Sequence, residues 1–392
     1  MLPLSAPIQL RSLAHETARK VTWLELFFDL IFVAVVAQVA APLRADYSIA
    51  GLERLVPLLL LIWLAWTGQT AYSTRFDTDD LVQRAFTIAQ MFAVAVMAAN
   101  ARDALDSRSS AGFVAAYAVV RLLLVAQYAR VRHVPGARAL TSRYLIGHGG
   151  AALLWLASAV LPLPARFVAW GIAFAVDLGT PWAAVPHSVT APPDAAHLPE
   201  RFSLFTLILL GESVVAVMQG IESQEGWPVA AALSAFLGMT SLFLICWWYF
   251  DGADAASEQH VRTRRDAIRY HVWTYAHFPL CLGIVTLGVG IQRIVTAAAH
   301  EPLARSETRL VAAGAAAVMV AMMVIAATSR GRKRVRPVPP AAVLLSVLVP
   351  GVGLLMPIVS PLVLISLLAS SLLAQLAMSP VGAKRLLSAR ER

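Results

Sequence analysis

The chain has 392 residues, a formal net charge of +9 and two cysteines; 58% of its residues are hydrophobic and 14% are charged. A soluble domain carries about 25% charged residues, so a water-soluble globule is excluded. Nucleic acid is not the partner that the positive charge points to, because the basic residues sit in short connecting segments without interleaved aromatics. Cys246 and Cys281 both lie inside apolar runs, which speaks against a disulfide framework and for free apolar thiols.

The first twenty residues hold His15, Glu16, Arg19 and Lys20 but no early apolar core, so they do not read as a cleavable signal. The first span, beginning near Trp23, is expected to serve as an uncleaved insertion signal. A helix needs about 20 apolar residues to cross about 30 Å of hydrocarbon. Segments of this kind are predicted at 22–42, 54–73, 82–101, 111–130, 144–161, 165–185, 201–220, 228–250, 270–291, 309–328, 341–358 and 361–379. Pro350, Pro357 and Pro361 break up the last stretch, which reads either as two short spans or as one re-entrant hairpin. The expected fold is all-α, a polytopic transmembrane helical bundle of about 12 helices. If the N-terminus is cytoplasmic, the inner segments hold nearly three quarters of the 32 Lys and Arg residues. The positive-inside rule then places both termini in the cytoplasm and the chain in the cell (inner) membrane.

A repeat runs through this pattern. Leu26-Phe27-Phe28-Asp29-Leu30-Ile31 resembles Leu204-Phe205-Thr206-Leu207-Ile208-Leu209, and Trp63/Trp66 followed by Phe76-Asp77 is echoed by Trp247-Trp248 followed by Phe250-Asp251. The offset is nearly half the chain. It predicts a cytoplasmic segment 1–21, a first six-helix repeat 22–185, a linker 186–200, a second six-helix repeat 201–379 and a basic tail 380–392. Parallel repeats of this kind place a functional site near their pseudo-two-fold axis.

Ionisable groups inside spans cost about 2.5–3.5 kcal/mol each at a helix centre, so they face the protein interior and have a partner or a task. Five stand out: Glu25, Asp29, Arg121, Asp177 and Glu212. Glu25 and Asp29 are four apart and share a helical face, which suits a proton relay or a cation site. Glu212 lies between Gly211 and Ser213 at mid-depth. Asp177, followed by Gly179 and Pro181, sits where a helix is expected to break. Arg121 is the single cation counted inside a span against four carboxylates. That shortage points to a carboxylate that is protonated or holds an external cation, and so to transport. A buried ion pair of Arg121 with Asp177 or Glu212 that only fixes helix packing is the structural alternative. His148 is expected at a span start, near the interface, and His271 and His277 as polar packing groups. No His-Glu-x-x-His, phosphate-binding Gly-rich loop or Cys-x-x-Cys is present; no enzymatic activity, cofactor or metal is expected.

The segment Val21-Thr22-Trp23-Leu24-Glu25-Leu26-Phe27-Phe28-Asp29-Leu30-Ile31-Phe32-Val33 resembles the opening signature of the bacterial low temperature requirement A family. Arg75-Phe76-Asp77-Thr78-Asp79-Asp80 fits it too, and His197-Leu198-Pro199-Glu200-Arg201, running on through Leu210-Gly211-Glu212-Ser213, resembles its second signature. The resemblance covers the chain from about residue 15. It implies a bacterial, membrane-embedded protein tied by name to growth in the cold, and so to stress response, but no defined biochemistry. It also implies that Arg75, Asp77, Asp79, Asp80, His197, Glu200, Arg201 and Ser213 belong to family motifs. All of these but Ser213 are expected at inner helix ends, as an ion-pair network bracing the repeats or as a gate. A looser, fold-level likeness exists to cation channels made of two six-helix repeats. The function expected is a channel or secondary transporter for a small cation or a proton-coupled solute, with Glu25, Asp29, Glu212, Ser213, Asp177 and Arg121 along its pathway. A non-transporting membrane scaffold or stress-response protein is the alternative. The expected partners are the lipid bilayer and a small cation or proton; a homo-oligomer is compatible with the sequence.

Overall fold

The computed structural model describes residues 3, 8–11, 21–77, 80–101, 104–105, 110–226, 228–252, 257–297, 302–329, 351 and 360–378. Among them are eleven α-helices: α1 (Trp23–Ala45), α2 (Ile49–Ser73), α3 (Leu81–Ala99), α4 (Ser110–Arg130), α5 (Arg138–Ser158), α6 (Ala165–Ala183), α7 (His197–Glu222), α8 (Val229–Trp247), α9 (Arg264–Ala297), α10 (Arg305–Thr328) and α11 (Pro361–Met378). The predicted span 341–358 and the tail 380–392 lie outside the described residues, save for Gly351. The only pairing of strands among the described residues is a two-residue antiparallel ladder, β1 (Gln9–Leu10) with β2 (Phe76–Asp77).

Ten of these helices are long and apolar enough to cross a membrane. The exception is α5, whose apolarity is diluted by Arg138, Arg143, Gly147, His148, Gly149 and Gly150. Its burial is inverted all the same. Ile146 is 74% and Leu153 65% exposed, while His148 is buried. Exposed apolar groups outside and a buried ionisable group inside are what hydrocarbon surroundings impose. The same inversion runs through the other helices: Phe92, Phe236 and Phe243 are exposed, whereas Asp29, Arg121, Asp177 and Arg201 are buried. The protein is a multi-pass membrane protein with an all-helical fold.

The chain divides into two compact units. The first comprises residues 1–41, 57–201 and 258–271, the second 42–56, 202–257 and 272–392. In the first unit α3 packs on α4, α4 on α5 and α5 on α6. A buried apolar cluster of Tyr72, Phe76, Tyr128, Val131, Leu140 and Tyr144 closes one end of it. Here β1 pairs with β2, and the Arg11 amide donates to the Arg75 carbonyl at 3.1 Å, so the N-terminal segment is strapped to the α2–α3 connection. In the second unit α8 packs on α11. Phe202, Trp273 and His277 stack edge to face, and the Tyr249 hydroxyl lies 3.1 Å from His277 Nε2.

The α5–α6 contact depends on a residue without a side chain. A Cβ at Gly147 would stand 2.9 Å from the Thr180 Cβ and nearer still to its hydroxyl. Gly149 has nothing within 4 Å of that position. Gly147→Val is therefore expected to cost about 1–3 kcal/mol through overpacking, seen as a lower thermal midpoint in detergent. Gly149→Ala is expected to leave that midpoint unchanged or raise it, since alanine is the better helix former.

Candidate functional site

Three helix N-termini and one C-terminus of the first unit bring their ends together: the starts of α1, α3 and α7, and the end of α2. The start of α1 is fixed by a reciprocal cap. Glu25 Oε2 accepts from the Thr22 amide at 2.9 Å and its hydroxyl at 3.0 Å, and the Glu25 amide donates back to the Thr22 hydroxyl at 3.3 Å. One turn on, Asp29 is fully buried. Its carboxylate takes two donors from Arg201, Nε at 3.1 Å and Nη2 at 2.6 Å, and the Trp66 indole N–H at 2.7 Å. Arg201 Nη1 also lies 3.3 Å from Glu25 Oε1, and His197 Nε2 approaches the same oxygen at 3.2 Å. A single guanidinium therefore binds both acidic groups of the α1 face, and the forked geometry matches Asp29 in bidentate fashion.

The start of α7 is fixed in turn by Asp194. Its Oδ1 accepts from the amides of Ala196 and His197 at 3.1 and 2.9 Å, and its Oδ2 accepts from Arg11 Nη1 at 2.7 Å. Burial pushes the Asp194 carboxyl up, but these two amides and the Arg11 guanidinium outweigh it and hold it below its ordinary value. Backbone pairing adds to the hold, because the Asp194 amide donates to the Thr74 carbonyl at 2.8 Å.

A second cluster lies deep among α4, α5 and α6. Asp177 is fully buried and accepts from Tyr117 Oη at 3.0 Å, Arg121 Nε at 3.2 Å and Trp155 Nε1 at 3.0 Å, while His148 Nδ1 lies 3.0 Å from its other oxygen. Arg121 is 1% exposed; it also donates to the Tyr117 hydroxyl at 2.9 Å and stands 5.1 Å from that ring's centroid. The pairing of Arg121 with Asp177 was one of the two read from the sequence. The pairing with His148 was not: that residue sits in mid-helix rather than at an interface, because α5 begins six residues ahead of the predicted span.

The other candidate residues are placed as follows. Glu212 belongs to the second unit, half-exposed, 3.7 Å from Arg44 Nη1. Ser213 donates to the Ile284 carbonyl at 3.4 Å and packs on Gly288, where a Cβ would stand 2.6 Å from its hydroxyl oxygen. Glu200 Oε2 is 3.6 Å from His197 Nδ1. Arg75 is fully buried and donates to the carbonyls of Ala71 and Ala191 at 2.8 and 3.2 Å, with its guanidinium 5.8 Å from the centre of the Tyr270 ring. Asp80 caps α3 through the Gln83 amide at 2.8 Å and is paired with Arg130. The side chain of Asp77 and all of Asp79 lie outside the described residues.

One expectation is corrected by this geometry. The supposed shortage of buried cations does not hold, because Arg201 is inside the protein with Asp29, and Arg44 stands beside Glu212. A helix-end arginine has a stem long enough to carry its charge a full turn inward. Of the expected network of Arg75, Asp77, Asp79, Asp80, His197, Glu200 and Arg201, the described side chains stand as follows: Arg75 on backbone carbonyls, Asp80 with Arg130, and His197, Glu200 and Arg201 beside the α1 acids.

A cavity of about 310 Å³ opens beside the first cluster. Glu25 and Phe28 of α1, Gln69 and Ser73 of α2, Gln83 and Thr87 of α3, and Arg201 of α7 line it, and Trp23 and Arg84 flank it. The Arg84 guanidinium lies 5.9 Å from the centre of the Trp23 ring. Among the described residues no group of three or more His, Cys, Asp and Glu side chains is arranged to hold a metal ion. What the arrangement offers chemically is a pair of carboxylate–histidine–arginine clusters, one of which fronts a solute-sized hollow.

These features define a polytopic helical membrane protein with ion clusters buried inside its spans. The chain belongs to the family described as Bacterial low temperature requirement A protein (LtrA), whose model matches residues 20–376. Uncharacterized protein RA0937 of Rhizobium meliloti (strain 1021) is 28% identical over 287 residues, 69% of this chain and 68% of its own. No solved structure matches the chain.

Removing one partner of a buried pair strands the other. Arg121→Met is expected to destabilise the protein by about 3–5 kcal/mol, and Arg121→Met combined with Asp177→Asn to recover part of that loss; thermal unfolding of the purified variants measures both. Asp194→Ala is expected to cost about 0.5–2 kcal/mol near pH 7. Because the folded Asp194 titrates below its unfolded value of about 3.9, its contribution is complete above that value. It fades as pH falls through the lower folded value, so the gap between wild type and Asp194→Ala should be constant above about pH 5 and close below about pH 4.

Proposed function

We propose that this LtrA-family protein is a proton-coupled secondary transporter of the cell membrane, with both termini in the cytoplasm. The observation that carries the reading is the cavity whose wall is made by Glu25 and Arg201, two members of a buried cluster that also holds Asp29 and His197. Such a cluster has a net charge that one proton changes by a full unit, in surroundings where charge is expensive. Solute entering the cavity meets the same carboxylate that His197 and Arg201 share, so solute and proton act on one set of ion pairs. Matching of the acids by guanidinium groups supports a proton as the coupling ion over a bare metal cation in a permeation path. The Asp177 cluster and the Arg44–Glu212 pair supply further sites at which protonation changes an ion pair. The charge distribution of the loops supports the orientation, in which the cavity faces the cytoplasm.

A second reading, a scaffold whose buried charges only fix helix packing, is favoured by one observation: Asp29 and Asp177 each have a full complement of donors. Proteoliposomes separate the two. Pools of small amines, amino acids, polyols and carboxylates are applied while lumenal pH and membrane current are recorded. One pool is expected to move charge and lumenal pH together in wild type and to do neither in Glu25→Gln. Absence of both signals with every pool in wild type would refute transport and leave the scaffold.

A further inference from the structure

The hollow beside Glu25 is edged by donors whose acceptors are not on the protein. Gln69 is 5% and Gln83 7% exposed, and the side-chain oxygens of both are shut away from solvent. What these two lining residues present to the hollow is therefore the amide NH2 group. Neither NH2 group has an acceptor among the described residues. Polar groups this deeply buried are as a rule hydrogen-bonded, and exceptions call for an explanation. Here both open on one cavity.

The charges around them point the same way. Glu25 is already matched: its Oε1 lies 3.3 Å from Arg201 Nη1 and 3.2 Å from His197 Nε2, and its Oε2 accepts from the Thr22 amide and hydroxyl at 2.9 and 3.0 Å. Arg84 brings a second guanidinium, 5.9 Å from the centre of the Trp23 ring. The described lining thus holds two guanidiniums against one carboxylate. The starts of α1, α3 and α7 converge here, and the partial positive charge of a helix start favours an anion. Guanidinium and amide N–H groups are the donors that carboxylate oxygens take. An ammonium group would meet two like charges instead. The rings of Phe28 and Phe76 complete the wall with apolar surface. The volume of about 310 Å³ is at the lower end of small-molecule sites, which run from roughly 300 to 1,000 Å³.

We infer that this cavity is a binding site for a small organic carboxylate. Its oxygens are held by the side-chain NH2 groups of Gln69 and Gln83 beside Arg84, and its apolar part lies against Phe28 and Phe76. The inference names the solute class for the transporter reading of the same site and rests on that reading for what binding achieves. Binding itself is read at equilibrium without a membrane, so failure of transport and failure of recognition are separate results.

The test is calorimetric titration of the full chain in an uncharged detergent at pH 7. The probes are phenylacetate and butyrate, each beside its amide and amine counterparts: phenylacetamide and phenethylamine, butyramide and butylamine. At least one carboxylate is expected to bind saturably and at least tenfold more tightly than its amide and amine. Gln69→Met, Gln83→Met and Arg84→Gln are each expected to weaken it at least tenfold while keeping the wild-type elution profile and thermal midpoint. A methionine variant that unfolds is replaced by Gln→Glu at the same position. That change sets a negative acceptor where the donor stood and is expected to abolish binding. Glu25→Gln removes the negative charge of the lining and is expected to bind the carboxylate at least as tightly as wild type. No carboxylate binding, equal binding of the amide or amine, carboxylate binding indifferent to the Gln69, Gln83 and Arg84 variants, or its loss in folded Glu25→Gln protein would overturn the assignment.

Discussion

A carboxylate or guanidinium inside a membrane-spanning helix has lost the water that made its charge affordable, and nothing in hydrocarbon replaces it. Counter-charges and donors must come from other helices, so each buried charge dictates which helices meet and at what height. Asp29 draws on Trp66 of α2 and Arg201 of α7, and Asp177 on side chains of α4 and α5. Hydrocarbon supplies no hydrophobic drive to pull helices together, so packing and interhelical polar contacts must do it. The close approach of α5 to α6 at Gly147 and the hydrogen-bonded Asp177 between them are two parts of one contact.

Much of this was legible in the residues. An aspartate flanked by phenylalanine and leucine, such as Asp29, can be read as buried from cost alone. The helical reach of α1 to α4 and α6 to α10 followed from apolar runs of bilayer length, with ends displaced by a turn or less in most cases. Arg121 stood out because nothing else charged lay near it in sequence. Partners were harder. Arg201 opened a predicted span, and a charge at a helix end reads as interfacial unless its stem turns inward. His148 was hidden by an underestimated start for α5, whose glycines and histidine interrupt the apolar signal. Trp66, Trp155 and Tyr117 carry polar atoms on large apolar bodies, and hydropathy counts only the body. Tyr117, one turn before Arg121, is the one whose role a spacing argument would have exposed.

The cavity was legible only through Glu25 and Arg201. Most of its other lining residues are ordinary by type: two glutamines, a serine, two threonines and two phenylalanines. What distinguishes them is that they border one hollow, a property of assembled geometry that no single helix displays. Arg75 illustrates the converse. It is buried on carbonyls and against a tyrosine ring, contacts that its charge and its family motif, which suggested an ion-pair network or a gate, did not disclose.

Sequence separation gives the buried pairs a history as well as a position. Arg121 and Asp177 are 56 residues apart, and Asp29 and Arg201 are 172 apart. A ribosome adding about 5–20 residues per second leaves Arg121 without its carboxylate for about 3–11 s, and Asp29 without its guanidinium for about 9–34 s. During those intervals each charge carries its cost of about 2.5–3.5 kcal/mol without its native partner, and the pair that closes the first cluster forms only once the seventh helix has been made.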